Sequence, residues 1–415
     1  MKKINLTILT LLFFLPLSVF SQSEENNEWG ISFSGFVKND AFFDSRQTVS
    51  AREGHFLLWP AAEDLDLNDK DVNAKSSFNM LAVQSRLSGT IKGPDAFGAK
   101  TSGTIEGDFF AQANDNINLF RLRHAFLKLD WGSTQLLFGQ YWNPMFVTSC
   151  FPGTVSFNTG SPIQPFARNP QIRLTQSFGD FNLIAAALAQ RDYASRAPTP
   201  SSEYLRNSGM PDMHLQMHYS QSMLTAGAGI AYKTIVPRLE TNTGFKTDEG
   251  VSGLSAIAFA KLSLEPVTIK FEAVSGQNTA DVLQISGIAV NEIDPVTDER
   301  TYSPIRNLSL WTDIHTNGDK FQVGLFAGYS KNRGISEEIA ELGSTEDHIM
   351  GLGTSIKSLY RISPRVIFNS GKTRFALETE YTSATFGDGW DDNAVPTDTH
   401  TTGNLRVLFS SYYFF

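Results

Sequence analysis

Arg121 and Arg123 lie two residues apart in the stretch FRLRHAFLKLD, Phe120 to Asp130. Phe120, Leu122 and Phe126 fall on the other parity. Guanidinium groups in such a row are planar, permanently charged donor forks that match a carboxylate or a phosphate. Nearby stretches add to the set: Arg86 in QSRL, Glu106 and Asp108 in IEGDF, and Arg173 in NPQIR. These six residues can form a neutralised network that fixes strand register. They can also form a cationic ladder that lowers the entry barrier for small anions. Both readings hold together if part of the positive charge is matched by Glu106 and Asp108.

Other candidate chemistry is weaker. Glu63 to Asp71, EDLDLNDKD, alternates carboxylates but lacks the glycine at the sixth place and the distal bidentate Glu of a calcium loop. It reads as a solvated acidic loop, as does Asp388-Gly389-Trp390-Asp391-Asp392; either is a place where divalent cations would bridge to lipopolysaccharide. His214 and His218 lie on one strand face about 13 Å apart, too far to share a metal. No G-x-S-x-G elbow or nucleophile–base pair is visible. No enzyme activity, resident metal or cofactor is expected.

Residues two apart share a face only on a β-strand, and strand alternation recurs along the chain. Ile31, Phe33, Val37 and Phe43 oppose Ser32, Ser34, Lys38 and Asp40; Met213, Leu215 and Met217 oppose His214, Gln216 and His218; Phe375, Leu377 and Tyr381 oppose Arg374, Glu378 and Glu380. In the stretches bearing the charged set, Thr104, Glu106, Asp108 and Gln112 oppose Ile105, Phe109 and Ala111, while Gln84, Arg86, Ser88 and Thr90 oppose Val83, Leu87 and Ile91. The final segment, NLRVLFSSYYFF, repeats the pattern and ends on Phe415, as outer-membrane barrels commonly do.

The expected strands are 31–43, 80–92, 99–113, 117–130, 134–142, 171–178, 181–190, 212–220, 223–233, 251–263, 266–275, 305–315, 319–329, 347–360, 372–384 and 403–415. That makes about sixteen, an even number as in single-chain bacterial barrels. Long connections, at 44–79, 143–170, 191–211, 234–250, 276–304, 330–346 and 385–402, alternate with mostly short ones. Short periplasmic turns and long extracellular loops give this asymmetry. A short second outer loop near Asn114 to Asn116 and a longer turn over 361–371 break it.

An arginine on the lipid face near mid-bilayer costs about 2–4 kcal/mol. With Phe120, Leu122 and Phe126 in lipid, Arg121 and Arg123 point into a wet lumen. His124 and Lys128 then fall on the lipid parity, which requires either a bulge after Arg123 or a place near an interface. The segment 143–170 carries five prolines and four phenylalanines. We expect it to fold inward as a constriction loop; packing on a neighbouring subunit is the alternative.

Composition agrees with a barrel. Mean hydropathy is −0.18, yet aromatic residues make up 12% of the chain, with 32 Phe, and no run after the N-terminus approaches a spanning helix. Residues 1–21 read as a signal peptide, with Lys2 and Lys3, an apolar run broken by Pro16, and cleavage near Ser21. Residues 22–30 are a short periplasmic start and 31–415 the barrel domain. Losing Lys2 and Lys3 moves the net charge from −9 to −11, which disfavours nucleic acid. Cys150 is the only cysteine, so no intramolecular disulfide forms.

The block from Gln84 to Gln176 resembles the DcaP-like outer-membrane porins of Gram-negative bacteria. Its residues are Gln84-Ser85-Arg86-Leu87, Ile105-Glu106-Gly107-Asp108-Phe109, Leu122-Arg123-His124-Ala125-Phe126, Gly139-Gln140-Tyr141-Trp142 and Asn169-Pro170-Gln171-Ile172-Arg173. The resemblance implies a sixteen-stranded homotrimeric porin in the cell outer membrane, with an inward constriction loop and an arginine-rich eyelet. It further implies passage of small anions such as dicarboxylates, with Arg86, Arg121, Arg123 and Arg173 as lumen cations facing Glu106 and Asp108. The alternative function is a surface receptor or adhesin with a closed lumen and ligand-binding loops.

Overall fold

The computed structural model describes residues 29–111, 113–341 and 343–415. The expected signal peptide, nearly all of the segment 22–30 and Gln112 lie outside the described residues. An antiparallel barrel of sixteen strands closes on itself. In chain order they are β1, Gly30–Asp44; β2, in two pieces, Ser77–Leu81 and Arg86–Lys92; β3, Lys100–Asp108; β4, Arg121–Asp130; β5, Thr134–Trp142; β6, Arg168–Phe178; β7, Phe181–Leu188; β8, Asp212–Ser220. Then follow β9, Leu224–Ile235; β10, Val251–Ser263; β11, Val267–Gln277; β12, Arg306–Thr316; β13, Phe321–Asn332; β14, Ile356–Ser370; β15, Thr373–Trp390; β16, Pro396–Phe414. Closure runs from Phe36 opposite Phe414 to Asp44 opposite Arg406.

The alternation resolves into an apolar outside and a polar inside. Phe33, Val37, Leu215, Met217, Leu377 and Phe409 are exposed on the outer wall, while Lys38, Asp40, His214, Gln216, Glu378 and Arg406 are buried inside. Acyl chains, not water, meet that outer surface, because a closed antiparallel barrel satisfies its backbone and leaves only side chains to face lipid. The protein is a transmembrane barrel of the outer membrane.

Several expected boundaries move. The predicted turn over 361–371 is strand: β14 reaches Ser370 and turns at Gly371-Lys372. Its outward row is Tyr360, Ile362, Pro364, Val366 and Phe368, and the ladder to β15 skips Ser363 and Pro364. A proline without an amide proton is tolerated where that pairing is omitted. The predicted loop 385–402 is mostly paired strand, continuing β15 and β16 past the bilayer to a tip at 391–395. The second outer connection is longer than expected, covering 109–120. Because β3 stops at Asp108, Ala111 is buried rather than outward. Val83 also turns inside, because residues 82–85 interrupt β2.

The lumen is not evenly polar. Ala231, Ile257, Phe259, Val274, Trp311 and Phe326 turn apolar side chains inward from β9 to β13 and join one cluster with Phe146, Phe157, Ile163 and Phe166. Burying each large apolar side chain contributes about 1.5–3 kcal/mol. The connection between β5 and β6 therefore crosses the lumen to the apolar wall. The first outer connection, 45–76, also dips inside: Phe56–Pro60 is buried and Phe56 packs on Phe157 and Phe166. Two loops thus fill the β9–β14 side and leave open space against β2–β6 and the periplasmic ends of β15 and β16.

Candidate functional site

Arg121 and Arg123 enter the lumen on the parity opposite Leu122, and a strand irregularity follows them. Gly107 pairs with Leu122 and Glu106 with His124, so Arg123 is an extra residue in β4. A bulge reverses the parity beyond it. Arg123 and His124 therefore both point inside, buried at 2% and 6% exposure, as does Lys128 further along. The parity argument misplaces Phe126: the bulge turns it into the lumen and leaves Leu127 facing lipid. Gly139 of β5 lies opposite Phe126 with a φ of +131°, and a Cβ there would sit 2.2 Å from the Ala125 carbonyl oxygen. Only glycine fits that approach.

Asp108, fully buried, is the hub of the charged set. Arg121 Nε donates to its Oδ1 at 2.9 Å and Arg123 Nη1 to its Oδ2 at 2.9 Å. Arg123 Nε also donates to Glu106 Oε1 at 2.7 Å. Arg86 is held more loosely, 3.7 Å from Glu106 and 3.8 Å from Asp108. Arg173 pairs with no carboxylate among the described residues: its Nε donates to Gln171 Oε1 and its Nη2 to the Trp142 carbonyl, and the guanidinium lies over the Tyr141 ring. Five of the six expected residues thus form one network around Asp108, with Arg173 apart from it.

Above this network a second carboxylate collects arginines. Asp192 pairs with Arg168 at 2.6 Å and with Arg121 at 3.6 Å. Burial pushes the Asp192 carboxyl up, but the Arg168 and Arg121 charges outweigh it and hold it below the usual carboxylate range.

Two cavities remain on this side. One of about 480 Å³ lies between the network and the crossing loop. Arg86, Arg123 and Arg374 are the cationic residues in its lining, and Glu106 is the sole carboxylate. Arg374 donates to Asn369 Oδ1 at 2.8 Å and makes no ion pair among the described residues. The other, about 350 Å³ and nearer the periplasmic turns, is lined by Arg173 and Lys128 with no carboxylate. Lys128 lies 3.7 Å from Asp130, outside that lining. Five cations face one carboxylate across the two spaces.

The crossing loop, spanning 143–167, is held at its far side by charges as well as by packing. Val155 and Ser156 donate their backbone N–H groups to Glu378 at 2.7 and 3.0 Å, and the Asn158 amide donates to Glu380 at 3.0 Å. Arg361 donates to the carbonyl oxygens of Ser161 and of Leu58, bracing both inward loops from one side chain. Arg365 clamps Asp313 with two bonds, and Gly153 N–H donates to the same carboxylate. Lys38, from β1, reaches the Val155 carbonyl.

No family model matches the chain, and no curated protein does. Solved structures do. The outer membrane channel DcaP of Acinetobacter baumannii superposes with a TM-score of 0.66 at 14% identity, over 95% of this chain and 100% of that one. The fold is that of the outer-membrane porins. An anion-selective porin from Comamonas acidovorans gives 0.56 at 11% identity over 94% and 100%. The trimer form of OmpT, an outer membrane protein of Vibrio cholerae, gives 0.54 at 10% over 93% and 99%.

Sequence reasoning missed part of this site. Arg374 lies outside the expected set, although its parity with Glu378 and Glu380 is the available signal. For His124 and Lys128 the register shift decides between the two alternatives that parity left open, a bulge after Arg123 or a place near an interface, in favour of the bulge. Arg168 and Asp192 sit in or beside connections, where alternation carries no information. The apolar run Phe56-Leu57-Leu58-Trp59 inside a long outer loop is a signal for an inward fold. The carboxylates of Asp66 and Asp71, in the acidic stretch, accept backbone N–H bonds within their own hairpin.

Proposed function

We propose that the protein is an outer-membrane diffusion channel for small anionic solutes, working through the open half of its lumen. The observation that carries this reading is the lining of the two cavities: five cations against one carboxylate. A permeating anion exchanges water for guanidinium donors already fixed by Asp108, Glu106 and aromatic rings, so little reorganisation is needed. Arg86, Arg123, Arg173 and Arg374 carry this role together with Lys128. Arg121 acts mainly behind the wall, neutralising Asp108 and Asp192. The 143–170 segment is the constriction, tethered at Glu378, Glu380 and Asp313.

Dicarboxylates are the expected solutes, because two carboxylates can engage cations on opposite sides of the upper cavity. Homotrimer assembly and removal of residues 1–21 on export belong to the same proposal. Swelling of proteoliposomes in matched dicarboxylate, neutral sugar and diamine solutions tests it. Dicarboxylates should enter fastest and diamines slowest; equal rates would remove the charge argument.

A second reading is favoured by one observation, the filling of the outer lumen by both 45–76 and 143–167. A closed receptor barrel built this way would bind ligand on its loops and show no swelling with any solute.

A further inference from the structure

Outside the lumen, a recess of about 330 Å³ sits at the outer ends of β4 and β5. Leu119, Phe120 and Leu122 form one wall, exposed at 61%, 53% and 53%. Leu122 belongs to the lipid-facing row of β4, so the recess opens to the surroundings of the barrel rather than to its interior. Arg191 and Asp192 form the other wall, with Arg121 also in the lining.

The charge at this recess is not balanced. Arg191 is exposed and makes no ion pair among the described residues. Arg121 is 7% exposed, and its Nη2 has no hydrogen-bond partner although its Nε is spent on Asp108. Behind Asp192, the buried Arg168 also keeps an unpartnered Nη1. Asp192 is the one carboxylate of the recess and is already shared between Arg121 and Arg168. Two guanidinium groups thus share one acid, Arg121 keeps N–H capacity, and Arg191 stands in the same lining without an acid of its own.

We infer that this recess binds the phosphate headgroup of an outer-leaflet lipid, with the lipid's acyl chains lying along Leu119, Phe120 and Leu122. A free anion would use the arginines and leave the apolar wall in contact with nothing it prefers. An uncharged lipid would use the wall and leave buried donors unsatisfied, which costs free energy. A phosphorylated, acylated molecule uses both, and the outer end of the bilayer is where its headgroup lies. Guanidinium and phosphate pair directly, so no bridging cation is required.

The test uses the full-length protein in a neutral detergent, with three probes: diphosphorylated lipid A, its dephosphorylated form and inorganic phosphate. Bound lipid is read by native mass spectrometry and by titration. The native protein should bind the phosphorylated lipid roughly tenfold tighter than the dephosphorylated one, the scale of one charge-assisted contact. R191Q should remove most of that preference and R191K should restore part of it. L119N should weaken both lipids without altering the preference. Arg191 is exposed, and the unheated electrophoretic mobility of the folded barrel checks that each variant folds.

Equal binding of the two lipids, or an unchanged preference in R191Q, would overturn the inference. Inorganic phosphate displacing the lipid at equal concentration would reassign the recess to a free anion. A change in subunit association in R191Q without added lipid would reassign it to a second copy of this chain.

Discussion

Replacing Arg374 by glutamine tests the charge logic of the pore with the least structural damage. Arg374 lines the upper cavity, touches Asn369 rather than a carboxylate, and stacks near Tyr412 and Phe414. Its loss therefore takes no partner from a buried acid, unlike loss of Arg123, which would remove one hydrogen-bonded partner from each of Glu106 and Asp108. A unit charge about 6 Å from a permeating ion, in a water-like dielectric, is worth about 0.7 kcal/mol. That is roughly a threefold change in occupancy, downward for anions and upward for cations, so the anion-to-cation permeability ratio should fall about tenfold. E106Q removes the sole lining carboxylate and should move the ratio the other way by a similar factor. The assay is the zero-current potential in a planar bilayer under a salt gradient, repeated at low and high ionic strength because screening shrinks the effect. An unchanged potential in both variants, or shifts of the same sign, would refute the reasoning.

Three further outcomes follow from the same geometry. Glu378→Ala should release the crossing loop, since two N–H bonds to a buried carboxylate are lost at about 1.5–3 kcal/mol each; single-channel recording should show a larger and noisier conductance. Leu215→Arg, on the lipid face of β8, should cost about 2–4 kcal/mol and reduce the folded fraction in vesicles measured by electrophoretic mobility. The outer-loop clasp at Asp298 should open in acid. Burial raises its carboxyl, but Arg238, the Asn242 N–H and Arg300 outweigh this and hold it at about 2. A depressed carboxyl stabilises fully above its ordinary value and loses that contribution as pH falls toward the folded value. Protease sensitivity of 236–250 should therefore rise between about pH 4 and pH 2, and D298N should be sensitive throughout.

Much of the barrel was legible because lipid punishes the wrong parity. Rows such as Met213, Leu215 and Met217 against His214, Gln216 and His218 fix a face wherever hydrocarbon lies on one side and water or charge on the other. The signal fails where that contrast fails. Beyond the bilayer, β15 and β16 continue with Thr385 opposite Thr401 and Phe386 opposite His400, and a threonine-rich ladder reads as a loop. In β14, Pro364 looks like a terminator, yet it occupies a lipid-facing position where two ladder pairs to β15 are missing. In β10 and β11, Ile257, Phe259 and Val274 are apolar on the inner face because a loop covers them, which no single strand records. The bulge after Arg123 is half legible: His124 and Lys128 on the lipid parity signal it as one of two alternatives, but Phe126, apolar on either face, carries no signal and is set in lipid when it lies inside. Of the site, the Arg86, Glu106, Asp108, Arg121 and Arg123 network was readable from parity alone. Arg168 and Asp192 were not, because Arg168 is the first residue of β6 and Asp192 lies in the connection after β7, where alternation carries no information.

The most direct measurement is the zero-current potential of the unaltered protein in a planar bilayer across a potassium chloride gradient. The arginine-lined lumen predicts an open channel whose potential carries the sign of chloride preference, weakening as salt is raised. A potential with the sign of potassium preference, or a barrel that never conducts, would contradict it.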